Sequence, residues 1–207
     1  NGVKSLRIGL SEGAEIAPPS PYAGPGKVIV YGGSTVQGAC ASRPGRYHLS
    51  IVSRRLNREI VNLGFSGNGK LEPELAEIMA QIDSPAILVV EGERNAGYEK
   101  VVERLETFLR TLRRHHPGVP IVVMSANPYG NEWRQAGNRP RILAFQKELV
   151  ARLRENDPDV HLFDSSNLLG DDFYECSVDG SHPTDLGFQR MADGLAPFLA
   201  RLLKPGT

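Results

Sequence analysis

The stretch Val28-Ile29-Val30-Tyr31-Gly32-Gly33-Ser34-Thr35-Val36-Gln37-Gly38 decides the reading of this chain. Its first four residues are apolar or aromatic and mostly β-branched, which suits a buried strand. Gly32 and Gly33 then let the backbone turn sharply and approach other groups closely. The hydroxyl that follows stands outside the carboxyl end of a strand, where open α/β sheets hold their ligands. Ser34 is therefore a candidate nucleophile. The same residues fit a plain helix start as well, because Ser34-Thr35-Val36-Gln37 matches a capping box. The two readings are compatible: free amides at a helix start can hold a developing oxyanion.

From Lys27 onward the pattern alternates. Strand 28–32 leads to a helical segment near 46–57, with Tyr47, Ile51 and Leu56 facing inward. Strand 59–63 precedes the glycine-rich turn Gly64-Phe65-Ser66-Gly67-Asn68-Gly69 and a helix near 72–82. Strand 85–90 is nearly all apolar, as in a strand covered on both faces. A long helix near 98–115 carries Val101, Leu105, Phe108, Leu109 and Leu112 at helical spacing. Strand 120–125, a polar loop over 126–138, a helix near 138–155 and strand 159–164 follow. A final helix spans about 184–203, with Thr184 as its N-cap. Five strands alternating with helices predict an α/β fold, a five-stranded parallel sheet between two helical layers.

Residues 1–26 read differently. Ala17-Pro18-Pro19-Ser20-Pro21 and Gly24-Pro25-Gly26 form a Pro/Gly-rich connector, and residues 3–9 have the pattern of a short strand. We read 1–26 as an arm, or as the tail of an upstream domain, and 27–207 as the main domain.

Composition narrows the function classes. The chain has 207 residues, 40% hydrophobic and 23% charged, an ordinary globular balance. With 24 basic and 24 acidic side chains it lacks the basic excess of a nucleic-acid binder. No apolar run approaches the roughly 18–20 residues of a membrane helix, so neither a nucleic acid nor a membrane is expected as partner. No signal peptide is visible, but the chain starts at Asn1 rather than Met, so both a cytoplasmic and a secreted or periplasmic setting stay open. Cys40 and Cys176 are compatible with a disulfide or with two separate thiols. No CxxC or HExxH pattern calls for a metal, and no cofactor is expected.

The loops after the strands carry the unusual residues. Gly67 in the second loop can aim a backbone N–H at an oxyanion. The third strand ends at Glu91-Gly92-Glu93-Arg94-Asn95, where the Asn95 amide donates hydrogen bonds without a charge. Glu91 and Glu93 read as solvated loop charges. The last block is Asp179-Gly180-Ser181-His182-Pro183. If its backbone turns, the carboxylate meets one ring nitrogen and leaves the other to take the serine proton. His48, His115, His116 and His161 read as structural or solvated, as do Asp171 and Asp172.

Taken together, these blocks resemble the SGNH hydrolases, the GDSL family of esterases and lipases: a serine after the first strand, a glycine within Asn-x-Gly-x-Ser-Gly, an asparagine, and Asp-x-x-His before the last helix. The resemblance covers residues 27–203. It implies a flavodoxin-like fold, Ser34 as nucleophile, His182 as base and Asp179 as its partner. It also implies an oxyanion hole from the Ser34 and Gly67 N–H groups and the Asn95 side chain. Gly33, Thr35, Glu93 and Arg94 flank these positions and are expected to contact substrate. The segments Gln37–Gly45 and His182–Gly187 look like a bacterial branch of carbohydrate and acyl esterases whose members often carry an upstream β-sandwich. The resemblance therefore implies a short-acyl serine esterase acting on a small-molecule or glycan ester, with an O-acetyl sugar among the esters it suggests; the oligomeric state stays open. Two blocks depart from the pattern. Gly32-Gly33-Ser34-Thr35 replaces the usual Gly-Asp-Ser, and Gly92-Glu93-Arg94-Asn95 replaces Gly-x-Asn-Asp, where the two bulky residues are expected to reshape the acyl pocket or displace Asn95. A degenerate carbohydrate-binding site, or acyl transfer to an alcohol, is the alternative on the same fold.

Overall fold

The structure, a computed structural model, describes residues 4–128, 130 and 138–203. Its centre is a five-stranded sheet in the order β2-β1-β3-β4-β5, with every neighbouring pair parallel. The strands are β1 (Lys27–Gly32), β2 (Ile60–Gly64), β3 (Pro85–Val90), β4 (Ile121–Met124) and β5 (Val160–Phe163). The helices are α1 (Ser34–Gln37), α2 (His48–Leu56), α3 (Pro73–Ala80), α4 (Glu93–His115), α5 (Asn138–Arg154) and α6 (Asp185–Leu202).

Strand periodicity splits the core into two. Ile29, Tyr31, Leu88 and Val90 face one layer, where they pack with Met79 of α3, Leu105 and Phe108 of α4, and Leu149 of α5. Val28, Val30, Ile87 and Val89 face the other, packing on Leu49 and Val52 of α2 and on Phe188 and Leu195 of α6. Both faces being covered explains why β3 and β4 are apolar without alternation.

Three strand ends fall level. Gly32 pairs with Gly64, and Tyr31 with Val90, so the turns after β1, β2 and β3 leave the sheet side by side. The chain goes from β1 to β2 on one flank and then to β3 on the other. The Ser34 turn thus sits at the switch point of the sheet, the place where such folds open a crevice.

Several boundaries differ from the sequence reading for identifiable reasons. α4 begins at Glu93 rather than 98 because Gly97 (φ 70°, ψ 172°) breaks it into a first turn and a main helix. The predicted capping box does not form: Ser34 is the first helical residue, and Gln37 instead accepts the Ser66 N–H through Oε1 at 3.0 Å. Thr184 does cap α6, accepting from Gly187 N–H at 3.2 Å. Residues 4–9 form no strand; Leu6, Ile8 and Leu10 are all exposed. Cys40 is exposed, Cys176 is buried, and the two are separate thiols. Much of the predicted polar loop at 126–138 lies outside the described residues. Among the described residues no helix is long and apolar enough to cross a membrane.

Candidate active site

The last loop folds back on itself. Ser177 and Pro183 form an antiparallel bridge, Val178 N–H donates to His182 O at 2.9 Å, and Gly180 takes φ 83° at the tip. Asp179 organises the turn from inside. Its Oδ1 accepts from Ser181 N–H (2.9 Å) and His182 N–H (2.7 Å), an Asx-type turn, while Oδ2 accepts from His182 Nδ1 at 2.7 Å. Burial pushes this carboxyl up, but the hydrogen bonds from His182 and Ser181 outweigh it and hold the pKa down to about 2. An ionised Asp179 can only accept, so Nδ1 carries the proton and Nε2 is left as acceptor. Nε2 lies 2.9 Å from Ser34 Oγ. The spacing therefore joins Ser34, His182 and Asp179 in one hydrogen-bonded chain.

The opposite wall is built from the second and third loops. The loop at 65–69 is tied to α1 through Gln37 on Ser66 and through Asn62, whose Nδ2 donates to Val36 O at 2.9 Å and whose Oδ1 accepts from Gly64 N–H at 2.8 Å. Gly67 adopts φ +71° with open space around it, so glycine is required there by backbone conformation rather than by packing. Asn95 Nδ2 donates to the carbonyl of Asn68 and stands against Gly33, where an added Cβ would collide with it. One amide N–H is thus spent on the loop, and the amide nitrogen itself stands beside Gly33, the residue before Ser34.

Behind these turns the structure corrects the reading of the acidic pair. Glu91 and Glu93 are not solvated: they are 3% and 4% exposed. Burial pushes Glu91 up to about 7 against the pull of Arg94 and the Gly33 N–H. Burial, then repulsion from Glu91, pushes Glu93 up to about 7 as well. Glu93 Oε2 accepts from Gln146 of α5 at 2.9 Å, so this side chain is part of the packing beneath the loop. Arg94 is partly buried and donates to Ser181 O at 3.2 Å. Glu93 therefore does not lie on an open wall, against the expectation that it contacts substrate. Thr35 is 2% exposed, with its hydroxyl buried, while Gly33 lies on the turn itself. His48 is fully buried, stacked on Phe188, and desolvation lowers its pKa to about 3, so it is a neutral core residue.

The GDSL-like Lipase/Acylhydrolase family model matches residues 26–200. The chain belongs to this family. A protein from Bacteroides ovatus described as a GDSL-like lipase is 34% identical, with a TM-score of 0.80 over 86% of this chain and 53% of its own. A salicylyl-acyltransferase from a tetracycline biosynthetic pathway shares the fold at 20% identity and a TM-score of 0.69, over 93% of this chain and 59% of its own. A family two carbohydrate esterase from Clostridium thermocellum does so at 15% identity and a TM-score of 0.68, over 90% of this chain and 66% of its own. No curated protein matches. The chain thus spans between half and two thirds of the length of these three structures.

Sequence reasoning missed several supports of this GDSL-type site. Asn62 and Gln37 lock the second loop to α1. Asp185 accepts from Ser42 N–H (2.9 Å) and Ser42 Oγ (2.6 Å) and pairs with Arg46 at 3.3 Å, fastening the 39–46 loop to the start of α6. The signal for Glu91 was available, since it is an acid directly after four apolar residues of a buried strand.

Proposed function

We propose that the site is that of a serine ester hydrolase acting through an acyl-enzyme. Ser34 Oγ attacks the ester carbonyl carbon while His182 Nε2 takes the hydroxyl proton; Asp179 stabilises the imidazolium that results. The carbonyl oxygen becomes an oxyanion facing the N–H groups of Ser34 and Gly67 and the amide of Asn95. Collapse breaks the ester C–O bond, and the leaving alkoxide takes the proton from His182. Water then adds to the acyl-enzyme with His182 as base, releasing the acid and restoring Ser34. The observation that carries this reading is the Ser34–His182–Asp179 chain at 2.9 and 2.7 Å.

The substrate we infer is a short acyl ester, and an acetylated sugar is the favoured class. Three fold neighbours are described as carbohydrate esterases, and another as an esterase active on acetylated mannans. The acyltransferase neighbour supports a second reading, in which an alcohol replaces water in the second step. Hydrolysis of p-nitrophenyl acetate, butyrate and octanoate tests both readings. Turnover that falls with chain length and is lost in His182→Ala supports the short-acyl esterase. Ester product in place of free acid, when a sugar is added, favours transfer. Equal background from parent and variant contradicts both.

A further inference from the structure

The nucleophile and the base come from turns 148 residues apart, and a serine hydrolase needs them aligned to a fraction of an ångström. Among the described residues, the Asp179 hydrogen bonds and the Ser177–Pro183 bridge that shape the base turn lie within residues 177–183 and, apart from the His182–Ser34 bond itself, do not reach the Ser34 side. Arg94 does. Its Nη1 donates to Ser181 O at 3.2 Å, inside the turn. Its Nε lies 3.6 Å from Glu91 Oε1 at the end of β3. The other oxygen of Glu91 faces the Gly33 N–H at 3.5 Å, one residue before Ser34. A chain of polar contacts, one of them an ion pair without a hydrogen bond, therefore runs from the backbone of the nucleophile turn, through the buried Glu91 and the partly buried Arg94, to the backbone of the base turn.

We propose that Arg94, anchored on Glu91, is a positioning residue that braces the His182 turn against the Ser34 turn. The inference rests on the serine-hydrolase reading of the site. Three features support it. The guanidinium is a planar fork that can address a carboxylate and a carbonyl at once, which a point-charge ammonium cannot do in the same geometry. A small pocket behind Ser34 is lined by Thr35, Glu91, Arg94 and Asn127, and Thr35 Oγ1, Glu91 Oε1 and Asn127 Oδ1 are buried there without a hydrogen-bond donor among the described residues. That acceptor-rich lining calls for the cation that Arg94 supplies. Finally, a buried ion pair is poorly explained by stability, since apolar replacements of similar volume are often as stable or more so. Asn95 follows Arg94 directly, so the same brace also fixes the turn that presents the Asn95 amide.

The test compares the parent with Arg94→Met, which removes both contacts at similar length, and with Arg94→Lys, which keeps the charge and loses the fork. Two readouts are taken: kcat and KM on p-nitrophenyl acetate, and the NMR resonance of the proton between His182 Nδ1 and Asp179. Arg94→Met is expected to lose about 10²-fold in kcat with KM little changed, and to broaden or lose that resonance. Arg94→Lys is expected to recover part of both. A folded Arg94→Met with kcat within about twofold of the parent and an unchanged resonance overturns the brace, whatever its melting temperature. If Arg94→Met fails to fold, Arg94→Lys and Glu91→Gln are read by the same two criteria. A parent that turns over no ester sinks the serine-hydrolase reading instead, and the resonance still decides whether Arg94 holds the turn.

Discussion

The side-chain amide of Asn95 stands so close over Gly33 that no Cβ fits between them. A small residue at 33 is thus a geometric condition for the Asn95 amide, the oxyanion donor we propose, to reach this place from a different loop. Gly33→Ala should push Asn95 away from Ser34. We expect kcat on p-nitrophenyl acetate to fall by about 10²-fold while KM changes little. Unchanged kcat in a folded Gly33→Ala would show that the Asn95 position is not used.

Removing the amide itself should act in the same way but more strongly. Asn95→Ala is expected to lose roughly 10²–10³ in kcat, the usual loss for one oxyanion donor. A change confined to KM would instead make Asn95 a ground-state contact.

Much of this arrangement was legible in the sequence, and what was not has a physical reason. The strand order of residue types, the glycines at 32, 33 and 67, and the Asp179–His182 spacing are local signals, and local signals survive into the fold. The burial of Glu93 is not local. It follows from α4 starting at Glu93, five residues before the periodic pattern begins, and from Gln146 reaching Glu93 across 53 positions. The capping box was misread because Ser34 and Gln37 find better partners in His182 and Ser66, which are distant in sequence.

The buried acids should leave a mark on stability. Glu91 and Glu93 move from an ordinary value of 4.5 to about 7 on folding, chiefly through burial. Between those values the folded state keeps protons that the unfolded state has released, so their contribution to stability falls as pH rises from about 4.5 to about 7. His48 works in the opposite direction over about 3 to 6.5, because burial keeps it neutral when folded. The quantity to measure is therefore the difference between parent and Glu93→Gln in denaturant unfolding at pH 5 and pH 8. The variant should gain relative to the parent at the higher pH. An identical pH dependence would contradict the burial-raised value of Glu93.

Tyr31 offers a test of the scaffold away from the chemistry. Its hydroxyl donates to Glu72 Oε2 at 2.6 Å and accepts from Leu71 N–H at 2.8 Å. Burial and the bond to Glu72 raise its pKa, so it stays a neutral donor. Tyr31→Phe keeps the ring and strands both partners, which should cost about 1–3 kcal/mol. Equilibrium unfolding reads this directly, and a neutral result would mean that water replaces the hydroxyl.

The central claim is that Ser34 is the nucleophile, activated by His182. The most direct measurement is intact-mass and peptide mapping after reaction with a fluorophosphonate, which adds one phosphonyl group to an activated serine and expels fluoride. The account predicts a single adduct on Ser34 in the parent, none in Ser34→Ala, and labelling slowed by about 10³-fold or more in His182→Ala. Labelling at another residue, or equal labelling of the parent and His182→Ala, would contradict it.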